Sequence, residues 1–304
     1  GLVLVGFSEW PRLEMVLPVV ISIIYIMTLL GNSAIITLSC LDPTPHPMYF
    51  FLAYLSFLNL CYTTSTVPQV LVNIWDHKRN ISYMGCIAHF SSFLTECVLL
   101  SVMSFDCYVA VCWPLHYTVI MNSQLCQQLA AVTWMTGFSN SLVQTVLTFL
   151  LPPCGHYWVE NFFCEVPAML QLSCVDTWIN EVEIYAAIVV IKVIPIGLIL
   201  FSYTNILRAI LRSQSSEGLK KVFNPCGCHL LVLIMFYGSV FSGCAYMAPR
   251  SNSAKLKGKR LSLFYGLLMP TLNPFIYTLR NKVDKGAVKK VLRREKASSE
   301  YGLG

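Results

Sequence analysis

The chain has 304 residues, of which 56% are hydrophobic and 12% are charged, and its formal net charge is +6. Soluble domains carry roughly 25% charged residues, so this composition excludes an ordinary soluble protein. Eight of the 21 Lys and Arg residues lie in the segment Arg280–Lys296. A basic cluster beside an apolar run indicates the cytoplasmic surface of a membrane, so we expect lipid contact and no nucleic-acid partner.

Seven apolar runs are long enough to cross a bilayer, which takes about 20 helical residues. They do not alternate as barrel strands would, and backbone groups in lipid must be paired within the segment, so we predict helices. The predicted spans are approximately 15–40, 48–75, 84–112, 125–151, 184–211, 222–247 and 261–279. Prolines in or near these runs predict kinks: they are Pro18, Pro68, Pro195 and Pro270. The prediction is an all-α membrane protein with one domain over residues 1–304.

Orientation follows from the charges between the spans. An odd number of spans places the termini on opposite sides, and a cytoplasmic C-terminus gives 12 Lys and Arg inside against 8 outside. We therefore expect an outer N-terminus and a cytoplasmic tail, 280–304. No basic segment with a cleavage site precedes the first run, so we expect no cleavable signal peptide. Because residue 1 is Gly and not Met, we also expect the natural start to lie upstream.

Four of the thirteen cysteines lie near one surface. Cys154, Cys164 and Cys174 recur in the polar loop 152–183, and Cys86 begins the third span on the same side. This grouping predicts two disulfides and an oxidising, extracellular face. Four cysteines allow three pairings, and spacing alone does not choose between them.

Six motifs follow one another in order along the predicted spans. They are PMYFFLAYLSFLNLCY (Pro47–Tyr62), MSFDCYVAVCWPLHY (Met103–Tyr117), FSYTNIL (Phe201–Leu207), KKVFNPCGCHL (Lys220–Leu230), MFYG (Met235–Gly238) and PTLNPFIYTLRN (Pro270–Asn281). Together they resemble the olfactory receptor family over nearly the whole chain. The resemblance implies the rhodopsin-like seven-helix fold, a plasma-membrane location, odorant binding and signalling through a stimulatory-type G protein. It implies no cofactor and no enzymatic activity.

The resemblance also implies the disulfide pairing and the residues that couple to the G protein. Cys86 would pair with Cys164, and Cys154 with Cys174. The residues implied in coupling and activation are Asp106, Cys107, Tyr108, Tyr203, His229, Asn273, Pro274 and Tyr277.

Cys107 departs from the family pattern, in which arginine stands between the acid and the tyrosine. Cysteine lacks both the charge and the planar set of donors of arginine. Asp106 therefore loses its adjacent cation, and we expect Tyr108, water, Lys220 or Lys221 to replace it in part. The sequence leaves two interpretations open, a receptor that tolerates Cys107 and a receptor-derived chain whose coupling is impaired or lost.

The family's ligand pocket lies among the third, fifth, sixth and seventh spans, and small odorants need a dry, mostly apolar cavity. The candidate lining residues are Phe90, Phe93, Leu94, Ala187, Ile191, Tyr237, Val240, Phe241, Cys244 and Gly266. Each of them is equally suited to ordinary packing between helices. Tyr237 is the strongest candidate, because its hydroxyl lies in an apolar run.

Polar residues inside the spans predict an interior site. Asn32, Asn59 and Glu96 are its candidates, with Asn59 where the family usually has Asp. An intramembrane acid is costly unless it is paired or hydrated, which favours a functional role. Asn with Glu would bind sodium less well than two acids; the alternative is a structural hydrogen bond between Glu96 and Asn59.

Two further departures concern the third span and a proposed metal loop. Cys86 and Asp106 are 20 residues apart, about four fewer than the family pattern needs, which would displace Phe90 by about one helical turn. Asn161 stands where many members have His, so we predict no metal site.

Lys192 lies inside the fifth predicted span. It either extends outward to the membrane surface or faces the interior, where it would favour ligands with carbonyl or carboxylate groups. A transporter or channel would need more intramembrane charges and an internal repeat, and an enzyme would need a catalytic set. A receptor is therefore the favoured class.

Overall fold

The computed structural model describes residues 3–4, 11–41, 47–75, 83–151, 158–159, 175–212, 226–238 and 264–280. The first four long helices are α1 (Pro11–Leu41), α2 (Pro47–Trp75), α3 (Tyr83–Cys112) and α4 (Ser123–Phe149). The next three are α5 (Trp178–Arg212), α6 (Cys226–Gly238) and α7, a π-helical segment Phe264–Leu268 continued by Met269–Arg280. One helix thus lies in each of the seven predicted spans.

Short elements connect these helices. A 3-10 turn, Pro114–His116, and a single helical turn, Tyr117–Ile120, lie between α3 and α4. Two-residue strands β1 (Val3–Leu4) and β2 (Trp158–Val159) pair in parallel. These strands are the only extended pairing among the described residues, and the predicted all-α class is confirmed.

The start of α5 corrects one predicted boundary. The outer loop was predicted to run through residue 183, but the helix begins at Trp178. Asp176 Oδ1 accepts the Trp178 backbone N–H at 3.0 Å, and the Thr177 hydroxyl donates to Glu181 Oε1 at 3.0 Å. These bonds stabilise a first helical turn that contains polar residues. Because the span was predicted from its apolar residues, the predicted boundary left this turn in the loop.

The start of α4 also precedes its predicted boundary. Asn122 Oδ1 accepts the Leu125 N–H at 2.8 Å, so the asparagine caps a helix that begins at Ser123 rather than at residue 125. Side-chain capping of this kind satisfies a backbone donor that the first turn leaves open.

Two of the prolines that were predicted to kink their helices, Pro195 and Pro270, each follow a short π-helical segment. Val189–Val193 ends two residues before Pro195, and Phe264–Leu268 ends two residues before Pro270. Proline has no N–H and its ring collides with the carbonyl four residues earlier, so the helix widens instead. In α5 the Ile194 N–H accordingly donates to the Val189 carbonyl, five residues back.

Helix α3 occupies the centre of the described bundle. It packs against α2, α4 and α5, while α1 packs against α2 and α7. Helices α3 and α4 approach each other closely at Gly137, where a Cβ would lie 2.8 Å from the Thr95 nitrogen and 2.9 Å from its Cα. Only glycine permits this spacing, because any other side chain would meet backbone atoms.

The apolar character of the helices agrees with a membrane protein. Among the described residues, four helices are long and apolar enough to cross a membrane: Val16–Leu41, Pro47–Val72, Ile87–Cys112 and Trp178–Arg212. Large apolar side chains of α1, such as Leu30 and Val16, are exposed on the outside of the bundle. The main buried cluster joins α2, α3, α6 and α7 through residues such as Phe51, Leu100 and Val232.

Candidate functional site

The carboxylate of Asp106, near the end of α3, is bound by Tyr117. The Tyr117 hydroxyl donates a 2.8 Å hydrogen bond to Asp106 Oδ1, and both side chains are buried. The 3-10 turn Pro114–His116 reverses the chain and brings Tyr117 back against α3. Burial and the neighbouring carboxylate raise the pKa of Tyr117, so its hydroxyl keeps the proton that it donates.

The expectation that Tyr108 would bind Asp106 is wrong. The Tyr108 ring contacts Phe201 of α5 edge-on, with centroids 5.7 Å apart, and its hydroxyl accepts from Trp113 Nε1 at 3.3 Å. Successive helical residues point about 100° apart, which carries Tyr108 away from the face of Asp106. The alternative partners Lys220 and Lys221 lie outside the described residues. Tyr117 was missed although it ends the same motif, because the sequence does not show how far the turn folds back.

Cys107 is buried between three helices. It packs with Ile206 of α5 and Cys226 of α6. Cys107 and Cys226 belong to the same small buried cluster. The cysteine in the arginine position therefore joins α3 directly to the first residue of α6.

Tyr203 and His229 form a second polar contact at the same end of the bundle. The Tyr203 hydroxyl lies 3.0 Å from His229 Nδ1 and donates to the Cys226 carbonyl at 3.1 Å. A hydroxyl has one proton, so when the Tyr203 proton goes to the carbonyl, its oxygen is the acceptor for a proton on His229 Nδ1. Three residues predicted by the resemblance, Cys107, Tyr203 and His229, are thus brought together around Cys226.

The residues of the predicted interior site form two separate hydrogen-bonded pairs, Asn32 with Asn59 and Glu96 with Asn273. Asn32 Nδ2 donates to the carbonyls of Thr28 (2.9 Å) and Pro270 (3.1 Å), and Asn32 Oδ1 accepts from Asn59 Nδ2 at 3.2 Å. These bonds link α1, α2 and α7 in the buried core. Asn32 is therefore the polar centre of this contact.

Glu96 has a different partner from the one expected. Asn273 Nδ2 donates to Glu96 Oε1 at 3.4 Å, while the Asn59 amide points to Asn32. The hypothesis of a Glu96–Asn59 bond is wrong, because α7 supplies the amide that reaches Glu96. Within the described ranges no group of three or more His, Cys, Asp and Glu side chains could hold a metal ion.

Asn273, Pro274 and Tyr277 lie on α7, and all three are buried. Pro274 lies close to α1, since a Cβ added at Gly31 would be 3.1 Å from the Pro274 Cβ. Tyr277 belongs to the main core cluster. The segment Asn273–Tyr277 thus contacts α1 on one side and Glu96 of α3 on the other.

Four predicted pocket residues belong to one cluster. Leu94, Ile191 and Tyr237 are buried in the main core, and Phe93 packs against it. The Phe93 ring stacks on Phe236 with centroids 5.6 Å apart and an interplanar angle of 30°. These residues come from α3, α5 and α6, the helices expected to surround the ligand.

The Tyr237 hydroxyl donates to the Cys97 backbone carbonyl at 3.1 Å. Sequence reasoning missed Cys97 and Phe236, because they look like ordinary apolar residues in long apolar runs. Tyr237 is therefore already bonded to α3, and its oxygen can still accept a hydrogen bond.

The other predicted pocket residues are distributed differently. Phe90 lies beside His89 on α3, and Ala187 and Gly266 are buried in α5 and in the π-helical segment of α7. None of these three is in the core cluster formed by the described residues. Val240, Phe241 and Cys244 lie outside the described residues, as do Cys154, Cys164 and Cys174. Cys86 lies in the first turn of α3.

A sequence model for the olfactory receptor family matches residues 21–295. The chain belongs to the olfactory receptor family. It is similar to olfactory receptor 2B2 of Homo sapiens, with 51% identity over 98% of this chain and 84% of that protein. It is also similar to olfactory receptor 2B6 of Mus musculus, with 52% identity over 96% of this chain and 94% of that protein.

Family membership confirms several predictions. The receptor has the rhodopsin-like seven-helix fold and is a multi-pass plasma-membrane protein. Its relatives are receptors and not enzymes, which confirms the expected class.

Proposed function

We propose that the receptor binds small volatile molecules within the helix bundle and signals through a stimulatory-type heterotrimeric G protein. Family membership over residues 21–295 carries this proposal. The proposal includes an N-terminus outside and a tail in the cytoplasm, an orientation in which the Asp106 end of α3 would face the G protein.

The arrangement around Asp106 supports the proposed coupling surface. The Tyr117 bond holds the connecting turn against α3, and this turn presents Leu115, which is 90% exposed. Trp113 and Val119 of the same connection are also exposed, and an apolar patch of this kind is suited to bind a protein partner. The Asp106–Tyr117 contact therefore positions a surface for the G protein.

Activation is proposed as a shift between two states. Ligand would favour the state in which α3 and α6 separate at the Asp106 end and open a groove. Cys107 of α3 and Cys226 of α6 pack together in the described state. Loss of that contact would be one cost of opening.

The second candidate function is a receptor-derived chain with impaired or lost coupling. The specific observation that favours it is Cys107, which occupies a buried position between α5 and α6 and carries no cation. A transporter or channel has less support, because the relatives are receptors.

A cyclic-AMP assay with an odorant panel tests both candidates. The parent, Cys107→Arg and the matched control Cys107→Ser are normalised to surface-stained protein. A response of the parent supports the receptor. A response of Cys107→Arg alone supports the chain with lost coupling, because serine removes the thiol without adding a cation. Silence of all three at full surface expression contradicts the proposed coupling.

A further inference from the structure

Glu96 lies in the middle of α3, and its carboxyl group is buried beside α7. Its side chain is 7% exposed, and Asn273 Nδ2 donates to Glu96 Oε1 at 3.4 Å. Among the described residues, this amide is the only hydrogen-bond donor to the carboxyl group, and no cationic side chain forms an ion pair with it. A buried carboxylate with one neutral donor is costly, because an unpaired charge in an apolar interior has lost its hydration.

The Asn273 amide is only half used in this contact. Its Nδ2 donates to Glu96, while its Oδ1 is buried and accepts no hydrogen bond from the described residues. Buried amide oxygens are nearly always paired, so a donor is expected beside this one. A carboxylate cannot supply that donor, whereas a protonated carboxyl group carries one O–H.

A neutral carboxyl group and a primary amide are complementary. The amide N–H donates to the carbonyl oxygen of the acid and the acid O–H donates to the amide oxygen, so two hydrogen bonds close one ring. Glu96 and Asn273 already form the first of these bonds. A proton on Glu96 Oε2 would supply the donor for Asn273 Oδ1, and the same proton would remove the buried charge.

Sodium is the other cation that an intramembrane acid could hold here, and the described contacts do not fit it. A hard metal ion needs several oxygen atoms that converge on one point. Asn59 Oδ1 is also buried without a hydrogen bond from the described residues, but the Asn59 amide is bound to Asn32 on α1. No contact among the described residues joins Asn59 to Glu96. A proton, in contrast, needs only the Glu96–Asn273 pair.

We infer that Glu96 is a proton-binding site: it is a neutral carboxylic acid in the receptor without odorant, and it forms a two-bond pair with Asn273 that fastens α7 to α3. With Asn59 in place of the acid that is usual in the family, the interior of this receptor holds one proton rather than a sodium ion. The pair is separate from the Asp106–Tyr117 contact and from the proposed coupling surface.

Infrared spectroscopy detects the proton directly, because the carbonyl stretch of a neutral carboxylic acid is separate from the bands of a carboxylate. The purified full chain, without odorant and in a detergent that has no ester groups, is compared at pH 7 with Glu96→Gln. The parent should show a carboxylic-acid band that Glu96→Gln lacks. Asp106→Asn, which removes another buried acid of α3, should retain this band. Asn273→Leu should shift it to higher frequency, because the acid carbonyl loses its donor.

Thermal unfolding of the same protein gives a second, independent test. Glu96→Gln keeps a planar neutral side chain that can make both bonds with Asn273, so its midpoint should stay close to that of the parent. Glu96→Leu should lower the midpoint by several degrees, because the buried Asn273 amide loses its partner. Replacing sodium chloride by choline chloride at equal ionic strength should leave the midpoint of the parent unchanged, since a protein that binds no sodium gains no stability from it.

Three results would overturn the proton site. The first is the absence of a carboxylic-acid band that depends on Glu96. The second is a parent midpoint that falls in choline chloride while that of Glu96→Gln does not, which would assign a sodium ion to the carboxylate. The third is an equal loss of stability in Glu96→Gln and Glu96→Leu. Both measurements use the receptor without odorant or G protein, so their outcome is independent of the proposed signalling.

Discussion

Tyr117 donates a 2.8 Å hydrogen bond to the Asp106 carboxylate and thereby takes the place that a neighbouring arginine would have. The bond joins the end of α3 to the turn that follows it. A tyrosine supplies one hydrogen-bond donor and no charge, so the buried Asp106 carboxylate is held by a neutral donor rather than by an ion pair. Cys107, which stands in the position of that arginine, packs against α5 and α6.

Replacing Tyr117 by Phe should lower the free energy of unfolding by about 1–3 kcal/mol, because a buried carboxylate loses its donor. Thermal and denaturant unfolding of the purified protein measure this loss. Asp106→Leu, alone and combined with Tyr117→Phe, completes a double-mutant cycle. The two losses should be non-additive because the residues share one bond. Additive losses would contradict a direct interaction.

Gly137→Ala should push α3 and α4 apart, because the new methyl group would lie 2.8 Å from the Thr95 nitrogen. Overpacking of this kind costs about 1–3 kcal/mol. The matched control is Gly197→Ala on α5, where no heavy atom lies within 4 Å of the added Cβ. Alanine there should be neutral or stabilise the helix by up to about 1 kcal/mol. Equal unfolding midpoints for both variants would contradict the close helix contact.

Mild oxidation with a peroxide should join Cys107 to Cys226, because the two side chains pack in one buried cluster between α3 and α6. Two thiols and one hydrogen peroxide give the disulfide and two water molecules. Peptide mapping by mass spectrometry, before and after reduction, detects the link, and Cys107→Ser is the control that cannot form it. Under the proposed activation the link would also prevent the cyclic-AMP response until a reductant is added. Recovery of both cysteines unlinked after oxidation of the folded protein would contradict the contact.

Asn32→Leu should destabilise the receptor, because the Asn59 amide and the Pro270 carbonyl would both lose their partner. Each buried polar group left unbonded costs about 1–3 kcal/mol. The control is Asn205→Leu, whose side chain donates only to the Phe201 carbonyl on the exposed surface of α5. That change should stay within about 0.5 kcal/mol. Similar losses for both variants in a denaturant titration would argue against a structural role for the Asn32 network.

The sequence by itself determined the class, the helices and the family of this receptor. Long apolar runs specify helices because backbone groups in lipid must be paired within each segment. Six ordered motifs specify the family, and Lys192 was visible as a charge within a span. Each of these conclusions depends on residues that are close in the chain, so reading the chain was sufficient.

The tertiary structure decided which side chains meet. Glu96 bonds Asn273 rather than Asn59, and Asp106 bonds Tyr117 rather than Tyr108. These choices depend on how α7 packs on α3 and how the 3-10 turn folds back, which no local pattern contains. The same holds for the π-helical segment of α5: Pro195 predicts a disturbed helix, but only the packed helix shows that it widens there and brings Lys192 beside α3. Helix formation is governed by neighbours along the chain, whereas hydrogen bonds across 177 residues, as between Glu96 and Asn273, are set by the packing of whole helices.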